Sequence, residues 1–294
     1  MVARPRPVVR CTVALAAALA CALILSTGDT TASTEPAATG TATKPRLPCI
    51  GVRTRGTPRG TCWFPVSQRD RRITIAVIGD SHAGSWRSVV APLAASVRRR
   101  AVSLTQHSCP FARVERRYVP PERIAECAAW ADAVTAWLRR HPRIRTVFFI
   151  NSATYDFVPT ADKSSFERGV EGYRAAFEAL PPSVTDLVVI RDNPHMRPET
   201  PACVDRAFAE NRPPDECALP RDEALKPDAA ATAAASLNDP RVRVADLTRF
   251  FCDDRLCPPV IGGVRVYDDS QHLSRPFART LFRHLRDEWL RPSA

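Results

Sequence analysis

The sequence lacks a Cys-x-x-Cys pair, although it contains ten cysteines. No cysteine couple has a histidine at zinc-finger spacing either, so we expect no metal site. The sequence also has no internal repeat, no motif that predicts a cofactor, and only one long uncharged run, residues 11–27. Acidic residues are outnumbered by basic ones, 31 to 42, for a formal net charge of +11. Two explanations of this positive charge are open: an arginine-rich surface exposed to solvent, or attraction to anionic polymers of the cell envelope.

The amino terminus has the pattern of a targeting segment. Basic residues precede the uncharged run, namely Arg4, Arg6 and Arg10. We interpret residues 1–28 as a signal peptide or a single membrane anchor, and both alternatives stay open. Residues 29–46 form a Thr/Ala/Pro-rich linker, and residues 47–294 suffice for one sizeable domain. Since the basic flank stays cytoplasmic, the domain is expected to be secreted or anchored on the extracytoplasmic side. We therefore expect no nucleic-acid partner.

The cysteine pattern agrees with export. Eight cysteines lie beyond the targeting segment, and an even number in an exported chain favours a disulfide framework. Each disulfide bond would stabilise the loop that it closes by ~2–4 kcal/mol. They fall into four local couples, which we predict to be Cys49–Cys62, Cys109–Cys127, Cys203–Cys217 and Cys252–Cys257.

Strand and helix patterns alternate along the domain. Short β-branched or aromatic runs predict strands at Ile73–Ile78, Ala101–Thr105, Thr146–Ile150, Asp186–Ile190 and Val242–Leu247. Helical runs are Trp86–Arg99, Glu122–Arg140, Ser164–Leu180, Pro227–Leu237 and a last helix from Ser274. In the third helix, apolar residues recur at steps of four and three, which indicates one buried face; they are Phe166, Val170, Tyr173, Phe177 and Leu180. This alternation predicts a three-layer α/β/α fold with a mainly five-stranded parallel sheet in the flavodoxin-like order 2-1-3-4-5.

A candidate nucleophile stands where the first of these strands ends. The strand runs into Gly79-Asp80-Ser81-His82, and in the predicted order its carboxyl end lies at the switch point where ligands bind. Ser81 is therefore the proposed nucleophile, and Asp80 is expected to hold the turn. The alternative is a plain strand–turn–helix junction with Asp80 or Ser81 as cap.

A candidate base lies far downstream, within residues 267–274. His272 would take the proton of Ser81, and Asp269, three residues earlier, would orient the imidazole. Asp268 is the competing carboxylate. The alternative for the Asp269–His272 pair is a capping turn before Ser274.

An acyl-transfer site also needs an oxyanion hole. The Ser81 backbone amide and the Asn151 side chain, just past the third strand, are the candidates, with an ordinary turn as the alternative for Asn151. His82 offers no clear second role. The remaining histidines look incidental, namely His107, His141, His195 and His284.

The blocks AVIGDSHAGSW and VYDDSQHLS resemble the SGNH (GDSL-like) hydrolase superfamily, and most closely the SGNH domain associated with acyltransferase-3 proteins. Cys109-Pro110, Asp192–Pro194 and the Cys252…Cys257 pair fit the same subgroup. The resemblance implies an α/β/α fold and O-acyl ester chemistry on carbohydrates, with Ser81, Asp269 and His272 in the family's catalytic positions. The family's third block, Gly-x-Asn-Asp, is replaced here by residues 150–154, Ile-Asn-Ser-Ala-Thr.

These patterns favour an exported serine-dependent O-acyl esterase or acyltransferase that acts on acylated carbohydrate of the cell envelope. Hydrolysis and transfer share one acyl-enzyme, so both stay open. The multi-helix acyltransferase of the family is missing from this sequence, which makes a separate membrane acyltransferase a possible partner. The alternative is a non-catalytic module that binds envelope glycan or such a partner.

Overall fold

The computed structural model describes residues 50–51, 57–64 and 73–291. These all fall in one compact unit, Arg46–Ala294. The predicted targeting segment and linker lie outside the described residues. In the part that is described, no helix combines the length and apolar character needed to cross a membrane.

A seven-stranded sheet forms the centre of the fold, in the order β1-β2-β4-β3-β5-β6-β8. Its strands are β1 (Ile50–Gly51), β2 (Thr61–Trp63), β3 (Ile73–Gly79), β4 (Arg100–Thr105), β5 (Thr146–Ile150), β6 (Asp186–Ile190) and β8 (Val242–Ala245). The last five are parallel and follow the predicted order, while β2 and β1 extend the β4 side antiparallel and were not predicted. Two small ladders join β7 (Leu219–Pro220) to β9 (Leu256–Cys257), and β10 (Val260–Ile261) to β11 (Val264–Arg265).

Eight α-helices accompany the strands in the described ranges. They are α1 (Ser81–Ser96), α2 (Pro121–Arg140), α3 (Ser165–Glu178), α4 (Thr200–Ala209), α5 (Arg221–Ala224), α6 (Ala229–Ser236), α7 (Arg275–Thr280) and α8 (Phe282–Leu290). Two 3-10 turns lie at Pro214–Cys217 and Thr248–Phe250.

The helices cover both faces of the sheet, as the three-layer prediction requires. Side chains alternate along β3: Ile75 and Val77 pack with α1, α7 and α8, whereas Ala76 and Ile78 pack with α2, α3 and α6. Because successive residues of a strand point to opposite faces, one buried strand serves two cores.

Two predicted helix boundaries were wrong. Helix α1 begins at Ser81 rather than near Trp86, because the Asp80 side chain accepts the His82 amide and caps the helix earlier. The last predicted helix divides into α7 and α8, because Leu281 donates its amide to Ala278 and forms a tighter turn.

Three of the four predicted cysteine couples are disulfide-bonded in the structure, Cys109–Cys127, Cys203–Cys217 and Cys252–Cys257. The Cys203–Cys217 bond joins α4 to the 3-10 turn that follows it. The Cys49–Cys62 pairing involves Cys49, which lies outside the described residues, and it stays a prediction.

Strand β8 ends the sheet on one side within the described residues. Arg243, in the middle of β8, pairs with Asp186 of β6 and donates to the Trp289 carbonyl near the end of α8. The Trp289 indole also donates to Asp186. The end of α8 is therefore tied to this edge.

The junction between β3 and α1 depends on a glycine. Gly79 has φ +148°, and a β-carbon there would lie 1.7 Å from the Ile150 carbonyl oxygen. The backbones of β3 and β5 can therefore approach this closely only because residue 79 has no side chain.

Substitution of this glycine tests that constraint. We expect Gly79→Ala to lower the free energy of unfolding by more than about 2 kcal/mol, since backbone must move. The matched control is Gly84→Ala in α1, where a β-carbon meets nothing within 4 Å; it should be neutral or stabilising by about 0.5–1 kcal/mol. Urea unfolding of both variants measures the difference, and equal stabilities would contradict this account.

Candidate active site

The Ser81 turn lies at the carboxyl edge of the sheet, between two neighbouring strands. Gly79 pairs with Thr105 of β4 on one side and with Ile150 of β5 on the other. Ser81 then opens α1 and is partly exposed. The predicted switch-point position is therefore where the structure places the serine.

Asp80 holds this turn, as predicted. Its carboxylate accepts the His82 amide at 2.8 Å, the Ser152 amide at 2.9 Å and the Tyr155 hydroxyl at 2.7 Å. Burial, together with this carboxylate, raises the pKa of Tyr155 well above its ordinary value, so the phenol remains a donor. Asp80 is therefore the residue that caps α1, and the Ser81 side chain takes no part in this cap.

Asp269 and His272 form a hydrogen-bonded pair. The His272 ring meets the Asp269 carboxylate through Nδ1 at 2.7 Å, and the other carboxylate oxygen accepts the Gln271 and His272 amides, each at 2.8 Å. Partial burial alone would raise the pKa of Asp269, but these bonds outweigh it and lower that pKa. Asp269 therefore stays ionised and directs the basic nitrogen of His272, Nε2, away from itself.

The structure brings the two predicted motifs together. The ring of His82, next to Ser81 in sequence, lies edge-on to the ring of His272 with centroids 5.1 Å apart. Within the described residues, His272 Nε2 is buried and has no hydrogen-bond partner. The Ser81 hydroxyl is therefore not bonded to it here, and such bonds often tighten only when substrate binds.

Asn151 follows β5 directly and is 2 % exposed. Its side-chain oxygen accepts the Phe111 amide at 3.2 Å, which fixes the orientation of the group. Its Nδ2 is buried without a partner among the described residues. A buried donor that lacks an acceptor is costly, so it has the character of a group kept for a ligand oxygen.

The role of a third carboxylate was missed by the sequence analysis, which named its residue only as part of the Asp192–Pro194 segment in the family resemblance. Asp192, just past β6, is buried and accepts four hydrogen bonds: from His82 Nδ1 at 2.6 Å, His195 Nε2 at 2.7 Å, and the amides of Ala153 at 2.8 Å and Asn193 at 3.0 Å. Its own amide donates to Asp228, the cap of α6, at 2.9 Å. Asp192 thus joins the first turn of α1 to the loops that follow β5 and β6.

The expectation that His82 and His195 have no particular role was wrong. His82 is 1 % exposed and stacks on His195 with centroids 5.2 Å apart. Burial by itself lowers the pKa of His82, but the Asp192 carboxylate outweighs burial and raises that pKa to about 9. Burial alone would raise the pKa of Asp192, but its interaction with His82 outweighs burial and lowers that pKa. His82 is therefore an imidazolium at neutral pH.

The sequence did contain a signal for this cluster. Asp192 and His195 stand at the carboxyl end of the predicted fourth strand, and carboxyl ends of parallel strands share one edge of the sheet.

Two further bonds tie the loop after β6 to the loop that carries His272. Asn193 Nδ2 donates to the Gln271 carbonyl at 2.8 Å, and the Met196 amide donates to the Ser270 carbonyl at 2.7 Å.

His82, Asp192 and His195 have the residue types of a metal site, with candidate ligand atoms within 4.8 Å of one another. However, both nitrogens that would face an ion already face carboxylate oxygens, and each oxygen accepts a second bond from a backbone amide. The arrangement is that of a buried ion pair rather than a vacant ligand set.

The fold and the paired Ser81 and His272 motifs define an α/β/α domain of the SGNH type. A family model described as "SGNH domain (fused to AT3 domains)" matches residues 48–287, and the chain belongs to this family. None of the curated proteins matches the chain.

The solved structures that match this chain include two acetyltransferase domains. The periplasmic domain of a lipopolysaccharide acetyltransferase from Salmonella ser. Paratyphi A shares 13% identity at a TM-score of 0.57, over 76% of this chain and 85% of its own. This likeness supports the fold. The C-terminal catalytic domain of Streptococcus pneumoniae peptidoglycan O-acetyltransferase A, with a methylsulfonyl adduct, gives 12% identity over 74% and 89% of the two chains. Its TM-score of 0.37 is too low to support a comparison of folds.

The His82–Asp192 pair makes stability depend on pH. Because the pKa of His82 rises from 6.5 to about 9 on folding, its contribution is fully present below pH 6.5 and is lost as pH rises through about 9. We expect a fall in unfolding free energy on the order of 3 kcal/mol across this window. Urea unfolding at a series of pH values measures the fall, and NMR titration of the His82 ring should give the same midpoint.

The exposed histidine His107 provides the control. His107→Gln should leave this pH dependence unchanged. A His82 ring that titrates near 6.5 in the folded protein would contradict the assignment.

Proposed function

We propose that the protein is an exported serine-dependent O-acyl esterase or acyltransferase that acts on carbohydrate esters of the cell envelope through an acyl-enzyme at Ser81. The observation that carries this proposal is the Asp269–His272 pair, whose free Nε2 stands beside the Ser81 turn. Family membership supports acyl transfer or hydrolysis as the reaction class.

The side chains have complementary roles in this mechanism. His272 Nε2 removes the proton of Ser81 as the hydroxyl attacks the ester carbonyl, and later gives that proton to the departing alcohol. Asp269 holds Nδ1 and stabilises the imidazolium that forms. Water or a sugar hydroxyl then attacks the acyl-serine, with His272 again as base.

Negative charge develops on the carbonyl oxygen during attack. The Ser81 amide, at the start of α1, and Asn151 Nδ2 are the proposed donors to it. Both groups are held in place beforehand, Asn151 by the Phe111 amide and the turn by Asp80. Preorganised donors need no rearrangement when the charge appears, which is why they accelerate the step.

Export and a membrane partner rest on indirect support. The three observed disulfides favour an oxidising compartment, and the Salmonella domain is described as periplasmic. The family description refers to fusion with AT3 domains, so a separate membrane acyltransferase could supply the acyl group here. Assays with and without an acceptor oligosaccharide separate transfer from hydrolysis.

The second candidate is a binding module that retains the fold without catalysis. One observation favours it, namely that the Ser81 hydroxyl and His272 Nε2 are not bonded to each other in the described residues. A fluorophosphonate probe distinguishes the two functions, since it labels only an activated serine.

Ser81 substitution is the first test. We expect Ser81→Ala to abolish fluorophosphonate labelling and to lower ester hydrolysis on the order of 10³-fold or more, because the nucleophile is removed. Ser85→Ala, one turn along the same helix, is the matched control and should label normally. Full activity in Ser81→Ala, or no labelling of the folded wild type, would refute the mechanism.

Asn151 provides a separate test of the oxyanion hole. Asn151→Asp keeps an oxygen to accept the Phe111 amide but removes the Nδ2 donor. We expect kcat to fall by about 10²–10³-fold with a small change in KM, because the lost bond forms in the transition state. Asn211→Asp, at an exposed site, serves as control. A loss confined to KM would assign Asn151 to substrate binding instead.

A further inference from the structure

A cavity of about 340 Å³ opens beside the Ser81 turn and has no part in the chemistry described so far. Three segments surround it: the loop after β5, the start of α3, and the segment leading into α6. Its floor is buried and its rim is exposed. The floor residues are Ser152, Phe157, Tyr173 and Asp228, and the rim residues include Thr154, Phe166, Lys226 and Pro227.

Three residues that line the cavity are hydrogen-bonded to the two carboxylates that lie behind the candidate active site, Asp80 and Asp192. Two of its lining residues, Ser152 and Tyr155, donate hydrogen bonds to Asp80, which directly precedes Ser81. A third, Asp228, accepts the amide of Asp192. The residue before Ser152 is Asn151, the proposed oxyanion donor. A ligand held in the cavity would therefore lie against the same loop that provides this donor.

Phe166 departs from the expectation for its helix. The apolar periodicity predicts that it packs inward with Tyr173 and Phe177, yet it is 38 % exposed, whereas each of those two is 2 % exposed. Its ring lines the cavity instead. An exposed aromatic ring on a cavity wall provides a flat apolar surface without a partner in the described part of the chain.

The rest of the lining is rich in hydroxyl groups. Ser152 and Thr154 share a hydrogen bond at 2.9 Å, and Ser165 and Tyr155 also line the cavity. At the rim, the exposed Lys226 donates to the Glu223 carbonyl at 2.6 Å. Aromatic rings beside hydroxyls and an ammonium group suit a ligand that has an apolar face and many hydroxyls.

We propose that this cavity is a carbohydrate subsite, in which one sugar ring stacks on Phe166 while its hydroxyls bind the Ser152–Thr154 loop and Lys226. The inference rests on the proposed function, since it places the sugar of the acyl ester. It also explains why residue 166 is aromatic although it is absent from the core.

The test compares two kinds of ester. The enzyme is assayed with 4-nitrophenyl acetate, which is too small to need a sugar subsite, and with O-acetylated chitotriose, mannotriose and arabinotriose. Phe166→Ala should lower the ratio of kcat/KM for a saccharide ester to that for the small ester by about tenfold, mainly through KM. Lys226→Gln should shift the ratio in the same direction. The matched control is Phe208→Ala. It removes another exposed ring, which lies on α4 and is 44 % exposed, and it should leave both activities unchanged.

A binding measurement separates this inference from the proposed function. Calorimetry with Ser81→Ala reports affinity for the same three saccharides without turnover, and Phe166→Ala in that background should weaken binding by about tenfold. If Ser81→Ala remains active, the proposed acyl-enzyme mechanism fails. The calorimetric result then still shows whether the cavity binds saccharides. Equal losses on both ester types in Phe166→Ala, or no binding of any of the three saccharides, would overturn the carbohydrate subsite.

Discussion

The candidate site depends on the buried carboxylate of Asp192. Ionised carboxylates are costly to bury unless they are paired and hydrogen-bonded, and this one accepts from two imidazoles and two backbone amides. Those donors come from the first turn of α1 and from the loops after β5 and β6. Removal of any one of these segments would leave the charge incompletely satisfied, so all three are held together by a single electrostatic requirement.

Asp80 extends the same construction to the other side of Ser81. It joins the β3–α1 turn to the loop after β5, while bonds from Asn193 and Met196 join the loop after β6 to the one carrying His272. Asp80 and Asp192, neither of which is assigned a proton transfer, thus position the proposed nucleophile Ser81 and the loop of Asn151. The loop of the proposed base, His272, is joined to them through the loop after β6. The site is preorganised by groups that lie behind it.

Much of this arrangement was readable from the sequence. The five parallel strands and their order followed from short β-branched runs between helices, and three local cysteine couples were paired correctly. The Asp192 cluster was missed although the predicted strand order places His82, Asp192 and His195 at one edge of the sheet, because a shared edge does not show which side chains there bond to one another. Strands β1 and β2 were missed because they are two and three residues long. The exposure of Phe166 could not be predicted from periodicity. Periodicity assigns residues to one face of a helix, but it does not show which other elements cover that face along its length.

The contact between the end of α8 and strand β8 has a consequence for solubility. An outermost strand offers unpaired amides and carbonyls to any other chain, which is a common route to fibrils. Arg243 places a charge in the middle of this strand, and its bonds to Asp186 and to the Trp289 carbonyl hold the end of α8 beside it. Proteolytic cleavage near Trp289 would therefore remove the contacts that Arg243 makes with the end of α8, and an edge strand that loses neighbours is more prone to pair with another copy of the domain.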